Sequence, residues 1–316
     1  MNIQTLTLIT SGVSFVITVI LSLVIIPKLK KLKVGQVVRS DGPESHLKKA
    51  GTPTMGGIMM LIAIILMLAI FAFKYPVLIL PIILIAGFGI VGFIDDRKKL
   101  VEHSSDGISA KMKMLLLFLF ATIFLIGYML TCDWGTGSGI AFLDITGIFV
   151  IFTMLVLLGT SNAINLTDGL DGLAAGISSI IMAFFTAVAI KRGDNAMIVL
   201  GATTVGATLG FLIFNVKPAK VFMGDTGSLA LGAAIASTAI IMKMPLYLLI
   251  VALIPVVETL SVAMQVIYFK LTKGKRLFKM APLHHHLELS GLKETSVVCA
   301  FWGITAVLAV IGYIIA

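Results

Sequence analysis

The chain has 316 residues, 59% of them hydrophobic and only 12% charged, where an ordinary globular domain is about 25% charged. That balance excludes a soluble enzyme, a disordered tail protein and a disulfide-stapled secreted domain. The formal charge of +9 is read as a membrane-orientation signal and not as a nucleic-acid footprint. The two cysteines, Cys132 and Cys299, lack metal-ligand spacing and are not expected to pair.

Ten apolar segments are long enough to be read as membrane spans: 6–26, 56–73, 77–94, 113–129, 143–158, 173–190, 198–214, 229–242, 246–268 and 297–315. They are continuous and do not alternate with period two, which excludes a β-barrel. The expectation is an all-α polytopic integral membrane protein with one catalytic domain over residues 1–316. The first segment has neither a basic leader nor a small-residue cleavage site, so it reads as a retained span. The odd-numbered loops hold 20 Lys and Arg against four in the even-numbered ones. This asymmetry puts the odd loops in the cytoplasm and both termini outside. Segment 131–142, with Trp134 and a Gly/Ser/Thr run, suits a small hairpin at the outer interface, or else a disordered turn. Pro255 inside the ninth segment predicts a break or kink there.

The acids carry the functional signal. Asp95 and Asp96 emerge together from the third segment, followed by Arg97, Lys98 and Lys99. Adjacent carboxylates repel unless a cation sits between them, so this pair suggests a Mg²⁺ site or a proton acceptor. Asn162, Asn165, Asp168 and Asp171 follow at intervals of three, interleaved with Gly169 and Gly172. If this stretch is helical, each pair shares a face. Gly224-Asp225-Thr226-Gly227-Ser228 opens the eighth segment, and a helix start of that kind suits a phosphate and its metal. His284, His285 and His286 are consecutive and cannot all ligate one metal from one element. One facing a phosphate while the others hold the loop is the better reading. Lys48, Lys49, Thr52 and Thr54 stand near glycines, which suits a phosphate or a uracil carbonyl and equally a basic membrane anchor. Glu258 is the only charge in the middle of a span. On insertion scales such a charge costs about 2.5–3.5 kcal/mol, so it must be neutral, paired or facing water. All of these clusters except Glu258 fall on the cytoplasmic side, whereas a transporter would put its polar groups near mid-membrane.

The runs SHLKKAGTPTMGG, FIDDRKK, NLTDGLDGLA, FMGDTGSLALG and PLHHHLE occur in this order along the chain. Together they resemble the phospho-N-acetylmuramoyl-pentapeptide transferase family, within the wider superfamily of polyprenyl-phosphate N-acetylhexosamine-1-phosphate transferases. The resemblance implies ten transmembrane helices with both ends outside, a periplasmic hairpin, a broken ninth helix and a homodimer in the bacterial cytoplasmic membrane, with its site facing the cytoplasm. It implies transfer of a phospho-sugar from UDP-N-acetylmuramoyl-pentapeptide to the membrane lipid undecaprenyl phosphate, with Mg²⁺. The alternative is a sister transferase using UDP-N-acetylglucosamine. Carried over residue by residue, the resemblance makes Asp225 the Mg²⁺ ligand, sets Asp95 and Asp96 beside the reacting phosphates, and makes His284 the catalytic histidine. It lines the nucleoside pocket with Lys49, Asn165, Asp168, Asp171, Asn215, Phe222 and Gly224. Thr54, Lys99, Lys111, Gln265, His285 and His286 are further substrate-binding candidates. Direct attack, with Asp96 orienting the lipid phosphate or taking its last proton, and a covalent step through an Asp nucleophile both remain open.

Overall fold

The computed structural model describes residues 2–31, 51–102, 107–137 and 140–316. Among these residues the chain is helical: α1 (Ile3–Lys31), α2 (Gly57–Ala72), α3 (Ile79–Val101), α4 (Ala110–Thr131), α5 (Thr146–Thr167), α6 (Leu173–Arg192), α7 (Asn195–Asn215), α8 (Gly224–Ile241), the short α9 (Leu248–Val251), α10 (Leu253–Leu271), α11 (Leu283–Leu289) and α12 (Glu294–Ile315). Nine of them are long and apolar enough to cross a membrane. The second predicted span, α2, is a 16-residue helix and falls short of that group. At 1.5 Å per residue it covers about 24 Å, against a hydrocarbon core of about 30 Å.

The helices turn their polar stripes inward. In α1, Thr10, Ser14, Thr18 and Ser22 recur every four residues and are buried, while Leu8, Val16, Ile20 and Leu23 are exposed. A hydrocarbon surround explains the inversion, because lipid tails solvate the apolar face and the hydroxyls need protein partners. Thr10 and Ser22 return theirs to carbonyls one turn back. Ser14, besides the Ser11 carbonyl at 3.1 Å, reaches across to the Thr203 carbonyl on α7 at 2.8 Å. Around this contact α1 packs on α7, α7 on α6, and α3 and α5 on α8. α8 is the least hydropathic of the nine and one of the most enclosed. It tolerates Thr226, Ser228, Ser237 and Thr238 because neighbouring helices, not lipid, surround it.

Two sequence expectations meet the structure here. The ninth segment divides at Ala252, between α9 and α10. Pro255 has no N–H to give the Val251 carbonyl, so the ladder cannot run through. The loop 131–142 forms no strand among its described residues, and a 3-10 turn at Ala141–Asp144 follows instead. Asp144 gathers the loop by accepting from the Thr136 N–H and hydroxyl. Lys243 clamps Asp133 at 2.7 Å and holds that carboxyl below its usual range.

Candidate active site

Two helices overrun their apolar segments and carry the polar residues with them. α3 continues to Val101, beyond the apolar run ending at 94, and α5 to Thr167, beyond the run ending at 158. Asn162 and Asn165 therefore close α5 and do not open α6. Asp168 is the residue just past the helix, and Gly172, at φ +79°, precedes α6.

Asp225 lies in the first turn of α8 and is the meeting point. Its Oδ2 receives Lys113 Nζ at 2.8 Å and Lys99 Nζ at 3.1 Å, and its Oδ1 receives Asn165 Nδ2 at 2.9 Å. Lys99 also reaches Asp95 at 2.6 Å. Asn165 donates a second bond to Ser228 at 2.8 Å. Asp95, Lys99, Lys113, Asn165 and Asp225, with the chain from Gly107 to Ala110, line a cleft of about 470 Å³. Asp95 holds that chain by accepting from the Ile108 N–H at 2.9 Å.

Asp96 belongs to the same cluster, with one oxygen of each carboxylate within 4.8 Å of the others, yet it does not line the cleft. It accepts from the Asp225 N–H (3.0 Å), the Thr226 N–H (2.9 Å) and the Thr226 hydroxyl (2.7 Å). It thus caps the start of α8 from another helix, where free N–H groups and the helix dipole favour a negative charge. Gly224, at φ +73°, makes the approach possible, since a Cβ there would stand 2.6 Å from Asp96 Oδ2. Thr54 is buried beside the same position, its hydroxyl 3.1 Å from where that Cβ would stand. Its segment is tied in by Phe222 N–H to the Pro53 carbonyl and Gly56 N–H to the Phe222 carbonyl, both 2.8 Å.

Other predicted site residues hold loops. Asp171 accepts from the Ala219 N–H, and its own N–H goes to Glu294, which also pairs with Lys217 at 2.7 Å. Asn215 bridges the Gly172 N–H and the Val221 carbonyl. Gln265 accepts from the N–H groups of Leu277 and Phe278. His286 accepts from the Lys279 N–H, and His285 lies 3.3 Å from Glu288. His284 is fully buried against Glu258. Lys49 lies outside the described residues.

Lys113 is the cation that sequence reasoning missed in favour of Lys111. Two residues apart on a helix, the pair point to nearly opposite sides, and Lys111 is exposed while Lys113 reaches Asp225. The helix start at Ser109, whose hydroxyl caps the Met112 N–H, fixes which of the two turns inward.

The chain matches Glycosyl transferase family 4 over residues 77–243 and the phospho-N-acetylmuramoyl-pentapeptide-transferase signature 1 over residues 49–61. It is 50% identical over 306 residues to the phospho-N-acetylmuramoyl-pentapeptide-transferase of Acetivibrio thermocellus, covering 95% of this chain and 92% of the relative. The chain belongs to the phospho-N-acetylmuramoyl-pentapeptide transferase family. The enzymes of that name from Bacillus cytotoxicus (46% over 316 residues, 96% of each chain) and Caldanaerobacter subterraneus subsp. tengcongensis (45% over 304 residues, 95% of each) are similarly related. Within this transferase family, the signature segment of this chain runs through Pro53, Thr54 and Gly56, which abut Phe222 and Gly224 beside the cleft.

Proposed function

We infer that the chain transfers phospho-N-acetylmuramoyl-pentapeptide from its UDP donor to undecaprenyl phosphate, forming lipid I and UMP in peptidoglycan synthesis. The observation that carries this reading is the cleft in which Asp95, Lys99, Lys113, Asn165 and Asp225 converge, in a chain related over nearly its whole length to such transferases. The reading includes ten spans, with α2 as the short one, both termini outside and the cleft facing the cytoplasm. The loop-charge asymmetry supports that orientation. A homodimer in the bacterial cytoplasmic membrane belongs to the same proposal and is read by light scattering of the purified protein.

The chemistry follows from charge. The attacking lipid phosphate and the donor pyrophosphate are both anions, so their repulsion must be offset before they meet. Lys99 and Lys113 supply two positive charges at the cleft wall, and Asp225 and Asp95 keep the ammonium groups in place. The three clustered carboxylates outnumber the two lysines, and their donor atoms are all oxygen, the set that Mg²⁺ takes. Asp225 and Asp95, at the cleft, would hold the ion, with Asp96 behind them. Bound there, Mg²⁺ supplies Lewis-acid stabilisation of charge on the phosphates and on the departing UMP. Asp96 has its oxygens committed to the α8 start, so Asp95 is the better candidate to orient the lipid phosphate.

UMP release from purified protein with undecaprenyl phosphate and Mg²⁺ tests the reading. Turnover with UDP-N-acetylmuramoyl-pentapeptide and none with UDP-N-acetylglucosamine is expected. The reverse preference would move the chain to the sister transferases. Lys113→Met is expected to raise the donor KM at least about fivefold and to weaken its dependence on salt, because a fixed charge facing the pyrophosphate is lost. An unchanged KM would remove Lys113 from substrate binding.

A further inference from the structure

We infer that Glu258 is a positioning residue for the transfer: it fixes the His284 ring through Nδ1, so that Nε2 is presented to an oxygen of the phosphorylated substrate beside the Asp168–Gly169 turn. The inference rests on the transferase reading above and adds to it a residue in the second turn of α10.

Glu258 and His284 are both fully buried. One Glu258 oxygen accepts from the His284 backbone N–H at 3.1 Å, and the other lies 2.9 Å from Nδ1. The carboxylate thus fixes both the backbone and the ring of the same residue, at the start of α11. Stability gives no reason for such a pair, since an apolar residue of similar volume would be cheaper in a membrane helix. The chemistry of the contact does. A carboxylate facing Nδ1 keeps the proton on that nitrogen, which leaves Nε2 as the nitrogen with work to do.

Nε2 is buried and has no hydrogen-bond partner among the described residues. An unpaired buried polar atom of this kind destabilises the fold unless a ligand satisfies it. Its surroundings point to the site. Gly169 is the residue against it, and a Cβ at 169 would fall on Nε2. Gly169 follows Asp168 at the end of α5, one turn beyond the Asn165 that binds Asp225. The other two histidines are spent on the loop, His286 on the Lys279 N–H and His285 beside Glu288. Nε2 takes an oxygen in either protonation state: it accepts from a hydroxyl when neutral and donates to a phosphate oxygen when charged. A phosphorylated substrate reaching the turn offers both.

The test uses the full-length protein in detergent, labelled with ¹⁵N-histidine, with the His284 signal assigned by its loss in His284→Asn. In the unmodified protein the signal is expected to report a protonated Nδ1, and the Nε2 resonance is expected to move when the UDP-linked donor is added with Mg²⁺. Glu258→Gln is expected to lower kcat for UMP release at least about tenfold, part of the effect of a positioned proton-transfer group, with the donor KM within about twofold. An Nε2 resonance that ignores the donor, or a folded Glu258→Gln variant with kcat within about twofold of the parent, would overturn the proposal. The spectral arm needs no variant of Glu258 to fold. Absence of UMP release from the unmodified protein would instead defeat the transferase reading.

Discussion

Asp225→Asn is expected to lower UMP release at least about 10³-fold, the scale set by removing a preorganised charge from a reacting centre. The substitution keeps the shape of the side chain and removes its charge. Lys113 and Lys99 then lose the negative charge on which both converge, at 2.8 and 3.1 Å, and Asp95 is the remaining anion paired with Lys99. The cleft also loses the central member of its carboxylate cluster. The Mg²⁺ concentration giving half-maximal activity should rise in whatever activity remains. Thermal stability should change little, because both lysine side chains are partly exposed, 32% and 17%, and can turn to water. Activity within about tenfold of the parent, at saturating Mg²⁺, would remove Asp225 from the chemistry.

Asp96→Ala should behave differently, with loss of stability and activity together. Asp96 is 4% exposed and accepts three hydrogen bonds from the first turn of α8. Removing it leaves those donors buried, and an unsatisfied buried group costs about 1–3 kcal/mol. A drop of several degrees in Tm is the expected reading. Turnover should fall as well, because Asp225 is one of the residues whose N–H Asp96 holds. The comparison between the two variants is what decides: Asp225→Asn loses activity at nearly constant Tm, and Asp96→Ala loses both. An Asp96→Ala protein with parental Tm and no turnover would return Asp96 to direct contact with substrate.

This division of labour between neighbouring aspartates was not legible in the sequence. Asp95 and Asp96 are adjacent and chemically identical, so position along the chain makes them equivalent candidates. Helical geometry sends them in different directions, one to the cleft and one to the start of α8. The same holds for Lys111 and Lys113, where the sequence offers two cations and the helix phase selects the second. Asp171, Asn215 and Gln265 became substrate-site candidates through the family resemblance, which carries a residue's role but not its contacts. In the fold they also serve as tethers, with partners in loops that the spacing could not identify.

What the sequence by itself determined was the class of molecule and the segments that form its helices. Long apolar runs have one stable solution in lipid, since each backbone amide must bond within its own segment. The proline break was legible for the same local reason, being a missing N–H at a known position. The acid-rich motifs were legible as a group, because charges at helix ends are costly unless something compensates them. Only the tertiary structure decided the partners. Lys99 meets Asp225 across 126 residues of chain, Lys113 across 112 and Asn165 across 60, and Glu258 finds His284 across 26. Local periodicity fixes the face a side chain occupies. It carries no information about which other helix that face will meet, and at this site that meeting sets the charge balance.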